Sequence, residues 1–544
     1  MEKWMQWSLF RLSLLRSSLL CPSSREKSRW IFAAALCSFC FLRPVAQAQA
    51  QDCPVRPDSG TVVADPLNIA SQSGVLTAKF VMGHSVDAAG YTHYCYKYQT
   101  STQIVEAPTL RVNPGDVLNL NLVDSITNND ATKMNMAAAS GPPCGDGGTP
   151  TINSTNVHFH GMNVPPICHQ DDVLTTLIQP GSPGFQYSVQ VPSLQPPGLY
   201  WYHPHVHGFT EFQVNGGAAG ALVVGGMEKV RPEVAGLTER VFVIRQQYLV
   251  PWIPGPYLLT INYQVAPFLG SAPIIQMKPG EKQFWRVANA TIQDFLQLQI
   301  QVNGNLQPME VIALDGYPLA QTRNQTTILV PPAGRAEFIV QAPPAGGSAV
   351  FFTNAYNTGP TGNLDLSQTL ANVQTSSAAI SSPMPKATPP AAAGVKFFDL
   401  AQQPATTQRK LYFSEEFGGT NGPIQFYITV DGQKQKVFEP NEAPAITTKV
   451  GAIEDWTIEN RALETHAFHI HQIHFRVLEV DGKPAANNDL RDTIEIPYWE
   501  GKGPFHSVKV RMDFSQSPPG TYVFHCHILL HEDLGMMHKI LVEP

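Results

Sequence analysis

The chain has 544 residues, 43% of them apolar and 15% charged, with 41 Gly and 46 Pro. That length exceeds one ordinary core and calls for two to four domains, and the Gly/Pro-rich, weakly charged composition favours strands and turns over helices. The formal net charge of −7, with no basic excess, argues against nucleic acid or an anionic membrane as partner.

Residues 1–50 differ from the rest. Lys3, Arg11, Arg16, Arg25, Lys27, Arg29 and Arg43 stand against Glu2 and Glu26. The apolar run "WIFAAALCSFCFL" (Trp30 to Leu42) follows, and "AQAQA" (Ala46 to Ala50) supplies small residues in an A-x-A pattern. This is the layout of a secretory signal peptide with cleavage near Ala48 or Ala50. An uncleaved anchor is the alternative, but the run is short for a bilayer span. Removing this +5 segment takes the net charge from −7 to −12. The expected product is exported, periplasmic or secreted, free of the membrane after cleavage, and monomeric.

Beyond residue 50 the chain keeps Cys53, Cys95, Cys144, Cys168 and Cys526. Export permits disulfides. The first four cysteines allow three pairings, of which Cys53–Cys95 with Cys144–Cys168 is the expected one. Asn153, Asn289 and Asn324 head N-x-S/T sequons, which matter only in a glycosylating host.

Two elements recur three times in the same order. "VNPGDVLNLNL" begins at Val112, "MKPGEKQFWRVAN" at Met277 and "TKVGAIEDWTIEN" at Thr448, each with a turn glycine (Gly115, Gly280, Gly451) before alternating apolar positions. Trp285 and Trp456 stand five residues after their glycines, with Asn289 and Asn460 four further on. "PPGLYWYHPH" (Pro196 to His205), "PPAGGSAVFF" (Pro343 to Phe352) and "PPGTYVFHCH" (Pro518 to His527) form the second element. The period-2 alternation predicts antiparallel β structure in each copy, and a sandwich or Greek-key barrel satisfies it. The fold class is therefore all-β, with three consecutive Greek-key β-sandwich or barrel domains at residues 52–226, 227–394 and 395–544. The second domain ends in an Ala/Ser/Pro-rich linker at 376–394.

Most of the 17 histidines fall in four clusters: "HFHG" (His158, His160), "WYHPHVHG" (His203, His205, His207), "HAFHIHQIH" (His466, His469, His471, His474) and "HCHILLH" (His525, His527, His531). In an H-x-H pair on a strand both side chains point to one face. Eight imidazoles in four such pairs are metal ligands rather than core packing. The first and third domains offer two pairs each at equivalent places. The second has "FLQLQI" (Phe295 to Ile300) and "VFFTN" (Val350 to Asn354) there and cannot bind the metal. A multi-metal cluster between the first and third domains follows, with the middle domain as spacer.

Cys526 faces away from its two histidine neighbours. With His466, His531 and Met536 it makes a His2Cys set with an axial methionine, a blue-copper pattern rather than a usual zinc site. The stretch from His525 to Met537 thus serves two metal sites at once.

With these motifs in place, the chain resembles the three-domain multicopper oxidases of the laccase-like group, built from cupredoxin domains. The resemblance covers the whole chain after residue 50. It implies four coppers: one type 1 on His466, Cys526, His531 and axially Met536 (rather than Met537); one type 2 on His158 and His469; and two type 3 on His160, His203, His205, His471, His525 and His527. It also implies one-electron oxidation of a small donor near an exposed edge of His466 or His531, coupled to four-electron reduction of O2 to water. Asp171 (with Asp172 as alternative) and Glu532 match carboxylates that deliver protons, and these can also orient ligand histidines. The leading donors are phenols or aromatic amines. The alternative is a metal ion, Cu(I), Fe(II) or Mn(II), weakened because Met384 is the only methionine between Met309 and Met512. From another class, a copper-binding or electron-transfer protein without turnover is disfavoured by the complete ligand set. His207 and His474 have no ligand role in the family. His84, His93, His169, His506 and His538 are read as ordinary polar residues. Met134 and Met136 offer a weak transient copper site.

Overall fold

Three turns organise the repeat. Gly115, Gly280 and Gly451 all have positive φ (90°, 70° and 89°), a left-handed conformation that residues with a Cβ rarely adopt. Each turn moves the chain from one sheet to another. Before it run the strands Thr109–Val112, Ile274–Met277 and Ile446–Lys449; after it run Val117–Asp124, Lys282–Asn289 and Ile453–Asn460. The strand Val117–Asp124 alternates half-buried and buried residues along its length, as a strand lining one core must. Five residues past the glycine, Leu120, Trp285 and Trp456 are fully buried at the same place in each copy. Nine past it, a side-chain oxygen accepts a backbone N–H two residues on: Asp124 from Ile126 (2.9 Å), Asn289 from Thr291 (3.1 Å) and Asn460 from Ala462 (3.0 Å). Asp124 is the first-copy counterpart that sequence comparison misses, because Asp replaces Asn.

The computed structural model describes residues 53–87, 90–126, 144–249, 257–376, 400, 403–418, 424–487 and 489–544. The leader, Met134, Met136 and positions 377–394 of the expected linker lie outside the described residues. Three pairs of sheets follow one another along the chain, each pair closed over its own apolar core. This is the all-β, three-domain architecture expected. In the first pair, one sheet has the order Asn68–Ala70, Thr109–Val112, Gly220–Val224, Gly198–His203, His158–His160. In the last, the equivalent sheet runs Ile446–Lys449, Met537–Glu543, Gly520–Cys526, His466–Ile470, Thr493–Ile496.

Purely antiparallel pairing is not what forms. The strand after each turn glycine lies parallel to an earlier one: Val75–Val86 with Val117–Asp124, Thr238–Leu249 with Lys282–Asn289, and Thr407–Phe417 with Ile453–Asn460. The cause is the crossover. A chain that leaves one sheet, visits the other and returns re-enters in the same direction, and residue alternation carries no information on strand direction.

Both expected disulfides, Cys53–Cys95 and Cys144–Cys168, are formed, with sequence separations of 42 and 24 residues. Asn153 and Asn289 are buried, so of the three sequons only exposed Asn324 is open to modification. Among the described residues no helix is long and apolar enough to cross a membrane.

The outer units meet through two short helices. Thr210–Gly216 follows the histidines of the first unit and Leu529–Asp533 those of the third. The Asp533 carboxylate accepts the N–H groups of Thr210 (3.0 Å) and Glu211 (2.8 Å), satisfying donors that a helix start leaves unpaired. Val214, Ile292 and Leu529 pack in one cluster beside this cap. One residue from each unit thus closes the seam on which the histidines converge.

Candidate metal centre

The strand registers place the histidines. In the first unit His203 pairs with His158 across antiparallel neighbours; in the third, His525 pairs with His469. The repeat therefore presents equivalent positions from both units. Only His158 and His160 lie together within one strand. His205, His471 and His527 lie past the ends of the strands that carry His203, His469 and His525, which corrects the expectation that each pair shares a strand face. Freed from the pleat, His205, His471 and His527 each reach a different group from the first histidine of their pair, whereas His158 and His160 share one. Donor atoms within 4.8 Å of one another form five sets: His158, His160 and His469; His160, His203 and His527; His205, His471 and His525; His466, Cys526 and His531; and His158, Asp171 and His471. All are buried.

One nitrogen of several rings is held from outside, which turns the other inward. His158 Nδ1 faces both Asp171 oxygens (3.1 and 3.0 Å), His203 Nδ1 the Pro204 carbonyl (2.8 Å), His469 Nδ1 the Asp492 carbonyl (2.8 Å) and His525 Nδ1 the Cys526 carbonyl (3.0 Å). The Nε2 atoms of His158, His203 and His469 are buried with no hydrogen-bond partner, as are both ring nitrogens of His160 and His527. The Nε2 of His525 lies 3.5 Å from that of His205 and 3.2 Å from that of His471. Burial first, then repulsion between the rings, depresses the basicity of His158, His160, His205, His471 and His527 well below the ordinary range. Burial lowers His203 to about 3 and His525 to about 4. The rings are thus neutral, with lone pairs available.

The fourth set has different chemistry. Cys526 Sγ stands 3.5 Å from His466 Nδ1 and 3.9 Å from His531 Nδ1. Met536 is fully buried in the same core as Cys526, and the Met536 carbonyl accepts the Cys526 N–H (3.0 Å). Burial pushes the Cys526 thiol up, so only a bound cation would hold it as thiolate.

Multicopper oxidase family models match residues 150–229, 245–378 and 418–544. The chain belongs to the multicopper oxidase family. A multicopper oxidase of Staphylococcus aureus is 25% identical over 510 residues, covering 88% of this chain and 94% of that protein. A laccase of Bacillus subtilis is 23% identical over 424 residues, covering 71% of this chain and 79% of that one. Among solved structures, a Campylobacter jejuni multicopper oxidase described as a metallo-oxidase superposes with a TM-score of 0.67 at 23% identity, covering 90% of this chain and 96% of that one.

The oxidase's own residues fit copper. Buried imidazole nitrogens without partners are expensive unless something binds them, and imidazole with thiolate and thioether is a donor set suited to copper. Stripping the copper should therefore lower the apparent Tm, since a ligand that binds only the folded chain contributes about 4 kcal/mol at a thousandfold excess over its Kd. Scanning calorimetry before and after chelation measures this; an unchanged Tm would mean that these groups hold no tightly bound metal.

Two carboxylates border the histidines. Asp171 also accepts the Phe159 N–H (2.9 Å) and the Gln472 side chain (2.7 Å). Glu532 lies 3.5 Å from His205 Nε2 and 3.2 Å from His525 Nδ1. Burial raises both carboxyls well above the usual range, with Asp533 adding to the shift of Glu532. Asp172, the alternative to Asp171, instead accepts the N–H groups of Leu174 and Thr175. His207 packs on Phe438, and His474 Nε2 meets the Asp315 carbonyl (2.9 Å).

The expected exposed edge of His466 or His531 is absent. Both rings are buried. Phe426 stacks on His531 at 4.0 Å, Glu415 lies 3.3 Å from His466 Nε2 and Glu464 lies 3.6 Å from His531 Nε2. Nothing in the spacing of the sequence announces Glu415, about fifty residues before the histidine it meets.

Proposed function

We propose that this laccase-like oxidase takes electrons one at a time from phenols or aromatic amines and uses four copper ions per chain. His466, Cys526, His531 and Met536 would hold the type 1 ion, His158 and His469 the type 2 ion, and His160, His203, His205, His471, His525 and His527 the type 3 pair. Copper bound there supplies the redox chemistry by which four electrons from the donor reduce dioxygen to two waters. One observation carries this reading: His525, Cys526 and His527 each belong to a different donor set. Two peptide links therefore join the thiolate site to both sides of the histidine cluster, the shortest covalent connection a chain can make.

The other residues bind and orient. Asp171 fixes the ring of His158, and Glu532 is placed to hold a proton beside His205 and His525. Burial of every ligand excludes bulk water from the cluster. The two disulfides, in keeping with an oxidising compartment, support an exported, periplasmic or secreted protein. The domain boundaries proposed remain 52–226, 227–394 and 395–544, with a monomer as the working unit.

A second reading, oxidation of a metal cation, draws on Glu415 and Glu464, whose carboxyl groups lie beside the electron-entry histidines and are of a type that suits a cationic donor, although burial and Glu415 raise the Glu464 carboxyl well above the usual range. Oxygen uptake with a methoxyphenol, with and without added Cu(II), separates the two. Uptake without added copper is expected for a phenol oxidase. Uptake only with Cu(II) would put the metallo-oxidase reading first.

A further inference from the structure

The unit without histidine pairs reaches into the cluster through one side chain. Arg335, on the strand Arg335–Gln341 of the middle unit, is fully buried. Its guanidinium spans both oxygens of Asp492 in the third unit (2.8 and 2.5 Å) and donates to the Leu199 carbonyl of the first (3.3 Å). Asp492 is fully buried too, 3.6 Å from His160 Nε2 and 3.6 Å from His474 Nε2. Its own carbonyl is the acceptor that orients His469. Room for the pair is made by Gly161, the last residue of "HFHG". A Cβ there would lie 2.5 Å from Arg335 Nη2 and 2.7 Å from Asp492 Oδ2.

We infer that Arg335 is a positioning residue for the type 2 site: it occupies both oxygens of Asp492, keeps that carboxylate off the metal bound by His158 and His469, and so lets Asp492 serve through its carbonyl alone. The physical case is one of competition. A buried carboxylate without its cation is strongly disfavoured, and copper held by the neighbouring histidines would offer it a competing positive charge. A carboxylate oxygen is a competent copper ligand, and one stands 3.6 Å from Nε2 of His160, a type 3 ligand that also shares a donor set with His158 and His469. A bidentate guanidinium satisfies both oxygens at once, which an ammonium cannot. The inference rests on the copper assignment proposed above.

The test uses the copper-loaded full-length protein and reads the type 2 electron paramagnetic resonance signal together with the copper count. Arg335→Met is expected to change or abolish that signal and lower kcat by about 10- to 100-fold, the range for residues that orient metal ligands. The blue absorption and the KM for the donor should stay as in wild type. In Arg335→Met/Asp492→Asn the competing carboxylate is gone, and the type 2 signal should return towards wild type. If Arg335→Met does not accumulate, Arg335→Lys carries the same test, because it frees one oxygen, and the same reversal by Asp492→Asn is expected. A lowered Tm with an unchanged type 2 signal would overturn the inference, as would a double variant no better than the single. A wild-type protein with no type 2 signal would instead overturn the copper assignment beneath it.

Discussion

Cys526→Ser is expected to give a folded, colourless and inactive protein. The blue colour of such sites arises from copper–thiolate bonding, and Cys526 is the only cysteine outside the two disulfides among the described residues. The hydroxyl that replaces it is a harder and weaker donor and will not be held as an anion beside His466 and His531. The fold should survive because serine is nearly isosteric and the Ile528 N–H, which now points at Sγ (3.5 Å), keeps an oxygen to donate to. The neighbours His525 and His527 remain in their own sets, so the variant should retain the type 2 signal and three of the four coppers. Visible absorption, metal analysis and oxygen uptake are the measurements. Blue colour persisting in the variant would sink the assignment of the thiolate site.

Glu532→Gln should separate electron entry from oxygen chemistry. Reduction of O2 to water consumes protons inside a site from which bulk water is excluded, and a positioned acid typically contributes about 10²–10⁴-fold. Glu532 stands beside His205 and His525, and burial, with Asp533 beside it, raises its carboxyl well above the usual range and so favours the protonated form. Glutamine has the same shape and cannot release a proton. The variant should therefore stay blue, be bleached by donor at the wild-type rate under anaerobic conditions, and recover its colour on oxygen admission at least about a hundredfold more slowly. Stopped-flow reoxidation decides it. A wild-type recovery rate would remove Glu532 from proton delivery and leave it the orienting role alone.

Much of this was legible before folding. Glycines at 115, 280 and 451 announced the turns and the period-2 runs announced the strands, because both are local consequences of backbone sterics and side-chain alternation. The same locality made the four H-x-H pairs and the Cys526 stretch readable as donor sets. Local reading overreached where it assumed that each pair shared a strand: His205, His471 and His527 lie past their strand ends. It also extended antiparallel pairing to every strand, whereas the strand after each turn glycine pairs parallel with an earlier one.

What the sequence determined by itself was the kind of chemistry: an all-β repeat whose first and third copies carry imidazoles and one thiolate in number and type suited to copper. The tertiary structure decided which donors meet. His158 stands with His469, and His205 with His471 and His525, across more than 250 residues of chain. It also decided that Glu415 and Glu464 cover the thiolate site and that Arg335 enters from the unit that carries no histidine pair. The reason is that a side chain's face follows from its neighbours in sequence, while its partners depend on how separately packed cores dock, and that docking is set by buried contacts such as Asp533 on Thr210 and Arg335 on Asp492, which leave no periodic trace.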